Sequence, residues 1–379
     1  MKIGLVVPGF SADAGDWCIP ALRNLARQLA TTDEVHVLAL RYPHRAGDYA
    51  VFGARVRALG GGLRRGWGSV AVWLRALSSL AAEHRRREFD VLHAFWATET
   101  GAVAGLAGRL LGVPTVVSLA GGEPVALRDV GYGGQLAATE RLKIRLALRL
   151  ASVVTAGSDY QLALAAPWLR SRPPGRARRI PLGVDLQLFR PGASPPAGGP
   201  PVLIHVASLV PVKDQGTLLE AAAGLWRRGV AFRLEIVGEG ALEPALRALA
   251  ARLGIAPLVR FRGAVPHDAL PAIYRSGTLF VLSSRHEAQG MAALEAAACG
   301  LPVVGAGVGV IPELAPQAAI AVPCRDPEAL ADALAAVLND RESRCALGRA
   351  ARARAEAEFG LHQSVERFRQ VYASLAGRG

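Results

Sequence analysis

The chain has 379 residues, of which 51% are apolar, 20% charged and 6% aromatic, and it carries a formal charge of +13 at pH 7. That length exceeds what one hydrophobic core usually organises, so two domains are expected. The four cysteines, Cys18, Cys299, Cys324 and Cys345, form no Cys-x-x-Cys pair, which argues against a zinc ribbon, a redox motif or a disulfide framework and for a reducing compartment.

In chain order, MKIGLVVPGF reaches Pro8 after a short apolar run and lacks the long apolar core and cleavage site of a signal peptide, so Lys2 to Val7 reads as a first β-strand. The loop Pro8 to Cys18 is rich in small residues. Gly9 and Gly15 let a substrate approach the backbone, and Asp16 is placed to cap the helix expected over Ile19 to Leu29. The loop departs from Gly-x-Gly-x-x-Gly, which weakens a nicotinamide-dinucleotide reading. Further strands are expected at Val35 to Leu40, Val91 to Ala94, Thr115 to Leu119, Val153 to Ala156 and Ala177 to Ile180, alternating with helical stretches in the pattern of parallel βαβ units. Leu63, Trp67, Val70, Leu74 and Leu77 form a helical apolar stripe that reads as core-facing. Laid on an anionic membrane, with Arg64, Arg65 and Arg75 beside it, the same stripe would attach reversibly, at roughly 3–5 kcal/mol for such a basic cluster. His93 follows the strand and reads as a structural histidine or a base. Gly101 to Gly122 is weakly polar, but Arg109 and the Gly112-Val113-Pro114 break divide it into helix, turn and strand, not a membrane span. Ala120 to Glu123 (AGGE) is a second small-residue loop after a strand. Gly15, Asp16, Gly121, Glu123 and His93 are thus the candidate acceptor and phosphate contacts of the first domain.

The charge is uneven. Residues 1–190 hold 25 Lys and Arg against 14 Asp and Glu, whereas residues 191–379 hold 19 against 17. Clusters at Arg64-Arg65, Arg85 to Arg87, Arg141 to Arg149 and Arg170 to Arg179 suit nucleic acid, an anionic membrane or a phosphorylated small molecule. Aromatic residues are few and do not interleave with these arginines, which disfavours nucleic-acid binding. The expected location is cytoplasmic, with the basic half suited to the inner membrane face. The Pro- and Gly-rich stretch Arg190 to Pro201 marks a linker. The expected division is 1–190, a linker at 191–200, and 201–359, with the helix of 360–379 packing back on the first domain.

The second half repeats the grammar, with strands at Pro201 to Val206, Arg233 to Val237, Val259 to Arg262, Leu279 to Leu282, Pro302 to Gly305 and Ala319 to Val322. The expected architecture is α/β, two doubly wound domains facing a central cleft. After the first of these strands, HVASLVPVKD brings Ser208 and Lys213 to a strand end, where a cation neutralises a diphosphate and stabilises it as a leaving group. Lys213 is the only Lys after residue 143. VGEGAL sets Gly238, Glu239 and Gly240 at the next strand end, and FRGAVP sets Gly263 and Val265 at the one after, where backbone groups can meet a flat ligand. The segment SSRHEAQGMAALEAAACGLPVVG puts Glu287 in a strand-to-helix loop and Glu295, eight positions on, among Ala and Leu. Both carboxylates can reach one ligand there, and burying Glu295 unpaired would be costly. No Ser-His-Asp order, His-Glu-x-x-His helix or P-loop is present.

Taken together, these motifs resemble the retaining glycosyltransferases of family 4, the group 1 enzymes of the GT-B fold with two Rossmann-like domains. The family's Glu-x7-Glu is similar to Glu287 to Glu295, followed by Ala298 to Val304 and by Pro312-Glu313. Its Gly-Val-Asp passage resembles Ile180 to Asp185 with Phe189 and Pro191, and its phosphate element resembles Ser208 to Lys213. The resemblance implies a hexosyltransferase that uses a nucleotide-diphosphate sugar of the UDP or GDP type, with neither metal nor other cofactor. It implies Glu287 and Lys213 at the reacting centre, Glu295 on the ribose, Gly290, Met291, Ala292 and Lys213 on the diphosphate, and Gly263 and Val265 beside the base. Ser208, Gly238 and Glu239 complete the donor set. The implied acceptor is a lipid, a polysaccharide or a small molecule. Three positions depart from the family pattern: Ser208 stands where Arg is frequent, Ala14-Gly15-Asp16 shortens a glycine loop, and Ala120-Gly121 replaces His-Gly. The competing readings are a nucleotide-sugar epimerase of the same fold and a non-catalytic nucleic-acid-binding protein.

Overall fold

The structure, a computed structural model, describes residues 1–62, 67–170, 173, 175–192 and 199–377. Leu63 of the apolar stripe, Arg64 and Arg65 beside it, Arg172 of the last basic cluster and the centre of the Pro- and Gly-rich stretch lie outside the described residues. The chain divides into two units, one comprising Met1–Gly183 with Leu361–Gly379 and the other Val184–Gly360.

The first unit runs β1 (Lys2–Gly9), α1 (Pro20–Leu29), β2 (Glu34–Tyr42), β3 (Gly47–Val51), β4 (Ala54–Ala58), α2 (Trp67–Arg86), β5 (Val91–Phe95), α3 (Glu99–Leu111), β6 (Thr115–Leu119), α4 (Ala138–Leu150), β7 (Val153–Ala156), α5 (Asp159–Leu169) and β8 (Ala177–Arg179). Its sheet has the order β3-β4-β2-β1-β5-β6-β7-β8, parallel throughout except for the β3–β4 hairpin. Strands buried on both faces read as mostly apolar runs, as β5 (VLHAF) and β6 (TVVSL) do, with the polar His93, Thr115 and Ser118 buried among them. The hairpin adds to the expected strands. Its two-residue turn holds Phe52 at φ 53° and Gly53 at φ 80°, the left-handed pair a tight hairpin needs, but without the Asn-Gly signature that announces one.

The apolar stripe of α2 is corrected by the structure. The helix packs through Val72, Ala76 and Leu80, while Val70 and Leu74 are 47% and 63% exposed and Leu77 is half-buried. The packed residues repeat at i, i+4, i+8 and are centred on a different face from the expected set.

The second unit runs β9 (Val202–Val206), α6 (Gln215–Arg227), β10 (Arg233–Val237), α7 (Glu243–Arg252), β11 (Val259–Phe261), α8 (Leu270–Ser276), β12 (Leu279–Leu282), α9 (Met291–Ala298), β13 (Val303–Ala306), α10 (Ile311–Leu314), β14 (Ile320–Val322), α11 (Pro327–Asn339) and α12 (Arg341–Glu358). All six strands are parallel, in the order β11-β10-β9-β12-β13-β14. Strand order reverses between β9 and β12, and such a switch point opens a crevice at the strands' carboxyl ends.

Residues 184–190 group with the second unit, not with the first as expected from the Pro- and Gly-rich stretch that follows them. Val184 N–H donates to Phe359 O at 2.8 Å, and Val184 and Phe189 lie in that unit's core. The last helix, α13 (Leu361–Leu375), inserts Val365, Phe368, Val371 and Tyr372 into the core of the first unit beside Leu22, Leu25 and Phe95.

Candidate active site

The site begins where β9 and β12, neighbours at the switch point, both end. A single 3-10 turn, Pro211–Lys213, follows β9, and Asp214 at φ 48° turns the chain into α6. Two bonds tie this turn to the β12 loop: Ser283 Oγ donates to Lys213 O at 2.9 Å and Arg285 N–H to Val212 O at 2.8 Å. The pairing of loops fixes the pairing of side chains. Lys213 Nζ lies 2.6 Å from Glu287 Oε1, which also accepts from Ser284 Oγ at 2.7 Å. Burial pushes the Glu287 carboxyl up, but the Lys213 charge and the bonds from Lys213 and Ser284 outweigh it and hold the group below its ordinary range.

Gly290, at φ 92°, makes the left-handed turn that starts α9; the Ala293 and Leu294 N–H groups close back on Gly290 O, ahead of which the Gly290, Met291 and Ala292 N–H groups precede the helical ladder. These groups and the helix dipole favour an anion. Gly309, at φ 59°, lies against the same loop. A Cβ there would stand 2.5 Å from Gln289 O and 2.8 Å from Glu287 Cβ, and Val310 N–H donates to Gln289 O at 2.7 Å. The β13–α10 loop is thus pressed onto the Glu287 loop, and only glycine permits it. Sequence reasoning passes over Gly309 and Ser284. The Gly-Val-Gly-Val run after a strand is the available signal for the former.

Glu295 is buried one turn into α9, 7% exposed, with Oε1 2.8 Å from His267 Nε2 and Oε2 accepting from Tyr274 OH at 2.9 Å. The partner that the burial of this acid demands is therefore protein on both oxygens. His267 and Tyr274, from the segment around α8, carry no local signal that would single them out.

Gly238 and Gly240 are pressed against backbone of a neighbouring loop. Gly238, at φ 132°, would put a Cβ 2.0 Å from Ala207 O, and its N–H donates to Gly263 O at 2.8 Å; a Cβ on Gly240 would lie 2.3 Å from Leu209 O. They let the loops after β9, β10 and β11 pack on one another. Glu239 is exposed, and its carbonyl accepts from Leu209 N–H at 2.9 Å. Gly263 has φ 72° with open space where a Cβ would be, and Val265 is half-buried against the core. Ser208 is exposed, and its carbonyl accepts from Gln215 Nε2 at 3.0 Å. Behind it, His205 is fully buried with Nδ1 3.0 Å from Val281 O, and burial lowers its pKa to about 4.

In the first unit, Asp16 does not cap α1, which starts at Pro20 after Ile19 with no side-chain cap. Its Oδ2 instead accepts from Ala12 N–H at 2.7 Å and Tyr42 OH at 2.9 Å, shaping the loop from within. Gly15 N–H donates to Asp13 Oδ1 at 2.8 Å. Glu123 is buried, with Oε1 accepting from Ala97 and Ala120 N–H and Oε2 from Gly121 N–H. Burial raises its pKa although backbone N–H donors oppose the rise. Its carboxylate braces the β5 and β6 loops, with both oxygens engaged by backbone N–H groups. Gly121 also accepts from Gln161 Nε2 at 2.7 Å. His93 lies in the core, Nδ1 2.6 Å from Tyr372 OH and Nε2 2.7 Å from Ser118 Oγ, and burial drives its pKa down to about 3. It is structural, since no face of the ring is open to an acceptor.

The family described as "Glycosyl transferases group 1" matches residues 190–354, and that described as "Glycosyltransferase Family 4" matches residues 21–188. D-inositol 3-phosphate glycosyltransferase 1 of Catenulispora acidiphila is 33% identical over 319 residues, which cover 77% of this chain and 74% of the relative. The chain belongs to the family 4, group 1 glycosyltransferases.

Among other relatives, a GDP-mannose-dependent alpha-(1-6)-phosphatidylinositol monomannoside mannosyltransferase of Mycobacterium tuberculosis is 33% identical over 52% of this chain and 57% of its own. Among solved structures, sucrose-phosphate synthase from Thermosynechococcus elongatus superposes with a TM-score of 0.80 at 21% identity over 100% of both chains. Anabaena HepE in complex with UDP and glucose does so with 0.75 at 20% identity, over 99% of this chain and 100% of HepE. The glycosyltransferase accordingly has the GT-B fold, with two Rossmann-like units. Among its described residues no helix is long and apolar enough to cross a membrane.

Proposed function

We propose that this glycosyltransferase moves a sugar from a nucleotide-diphosphate sugar to an anionic or lipid-linked acceptor, with retention of anomeric configuration and without a divalent metal. The observation that carries the reading is the Lys213–Glu287 pair, 2.6 Å apart at the ends of β9 and β12 and beside the start of α9. An ammonium has three N–H groups and Lys213 spends one on Glu287, so two can meet phosphate oxygens. With the N–H groups of Gly290, Met291 and Ala292, these offset the charge that grows on a departing diphosphate. Glu287, kept anionic by Lys213 and Ser284, stands by the sugar, where positive charge develops. Glu295 takes the ribose hydroxyls, and Gly263 and Val265 border the base.

In the transfer, the bond from the sugar's anomeric carbon to the diphosphate oxygen breaks, and the acceptor oxygen bonds that carbon on the same face. The acceptor's proton passes to the departing phosphate oxygen. The UDP bound by HepE and the inositol phosphate in the relatives' names support the donor class and an anionic acceptor.

The test is a panel of UDP-, GDP- and ADP-sugars with inositol phosphates and lipid acceptors, read by mass spectrometry. Wild type is expected to form a glycosylated product. Glu287→Gln is expected to lose about 100-fold or more in turnover while nucleotide affinity stays within about threefold. Full activity in Glu287→Gln would refute its place at the sugar.

A further inference from the structure

We infer that Tyr274 and His267 are positioning residues that set the orientation of the Glu295 carboxylate and, through it, the grip on the nucleotide's ribose; the inference rests on the ribose assignment of Glu295 proposed above. A carboxylate at the end of a Glu side chain turns easily, because its last torsion is broad and shallow. Here it has two fixed points. Tyr274 OH donates to Oε2 at 2.9 Å, and His267 Nε2 lies 2.8 Å from Oε1. The phenol is fully enclosed, and burial together with the Glu295 charge raises its pKa well above the ordinary value, so it remains a donor at any working pH.

The two partners are themselves held. The Phe189 ring stands edge-on to His267 at 5.1 Å and to Tyr274 at 6.0 Å. Phe189 in turn is placed by Asp185, whose Oδ1 accepts from the N–H groups of Gln187 and Leu188 and whose carbonyl accepts from Phe189 N–H at 2.8 Å. The sequence passage from Asp185 to Phe189 touches no expected ligand group. Its contribution is mechanical, because it wedges in place the aromatic ring that backs the Glu295 clamp.

Each carboxylate oxygen has two lone pairs and spends one on its clamp. One therefore remains on each oxygen. Two neighbouring hydroxyls, as on a ribose, need two acceptor oxygens held in one plane, and the clamp fixes that plane. Without the Tyr274 hydroxyl, Oε2 loses its anchor and the carboxylate rotates away from the geometry that receives both hydroxyls.

The experiment compares the dissociation constants of UDP and GDP with those of their 2′,3′-dideoxy counterparts, by calorimetry, on wild type, Glu295→Ala, Tyr274→Phe, His267→Gln and His267→Leu. Tyr274→Phe is expected to weaken the ribonucleotide about tenfold while the dideoxy compound stays within about twofold. His267→Leu should behave likewise, whereas His267→Gln, which keeps a donor, should return most of the affinity. In Tyr274→Phe the KM for the donor is expected to rise while kcat, reached at saturating donor, is retained. Because the dideoxy compound needs the same folded site, its affinity reports whether a variant is intact. Equal weakening of both compounds, or of neither, in Tyr274→Phe overturns the inference. If Glu295→Ala weakens both compounds equally, the ribose assignment fails first. If Glu295→Ala discriminates and Tyr274→Phe does not, only the clamp is refuted. Should neither nucleotide bind wild type, the donor reading falls and the inference with it.

Discussion

Lys213 decides the protonation of Glu287 as well as the charge of the site. Burial alone would raise the Glu287 carboxyl, and the net lowering comes from Lys213 first and Ser284 second. The sign of the pH effect follows. A carboxyl whose folded pKa lies below its ordinary 4.5 contributes stability that is fully present above that pH and is lost as pH falls through the lower folded value. Replacing Lys213 by Met removes the larger lowering influence and leaves the burial opposed only by the Ser284 bond and the His286 charge. The acid limb of the pH–rate profile is therefore expected to move to higher pH, with turnover down about 100-fold at neutral pH. An acid limb that stays where it is in Lys213→Met would separate the two residues functionally. At this scale the sequence announces Lys213 well, since it stands alone in an arginine-rich chain, but it does not announce the direct pairing. That depends on the Ser283 and Arg285 bonds, which lie between segments about 70 residues apart.

Between elements, the loops at strand ends are held by buried polar groups that local sequence disguises as surface residues. Glu123 reads as a loop acid able to meet a ligand, yet its two oxygens take three backbone N–H groups from the β5 and β6 loops. Glu123→Ala would leave Ala97, Ala120 and Gly121 without an acceptor, at a cost of about 3 kcal/mol in urea denaturation. A loss under about 0.5 kcal/mol would show that water replaces the carboxylate. The strands are legible because parallel strands buried on both faces are predominantly apolar runs; β12 is wholly apolar, and β1 and β6 are mostly so. The β3–β4 hairpin is not legible, because Phe52 occupies a left-handed position usually taken by Asn or Gly. Asp16 misleads for a related reason. Pro20 starts α1 later than expected, and the carboxylate closes its own loop against Ala12 and Tyr42. His93 reads as structural or basic, and its neighbours Ser118 and Tyr372 come from segments 25 and 279 residues away, beyond the reach of any local pattern.

For the molecule as a whole, the order of motifs is more informative than any one of them. Two halves with the same βαβ grammar, a Glu-x7-Glu segment at a strand-to-helix loop and a lone Lys at a neighbouring strand end already point to the family. What the order does not give is which groups are spent on the protein itself. The clamp on Glu295 exists only where α9 meets α8 and the turn before it, and the glycine contacts of Gly238, Gly240 and Gly309 only where strand-end loops of one sheet meet. The central claim is retaining transfer from a nucleotide-sugar at the Lys213–Glu287 end of that sheet. Proton NMR of the product formed from an α-linked nucleotide-sugar tests it most directly, because the coupling at the anomeric proton reports configuration. An α-linked product from wild type, formed about 100-fold or more slowly by Glu287→Gln, is the expected result. A β-linked product, or an α-linked product formed at the wild-type rate by Glu287→Gln, would contradict it.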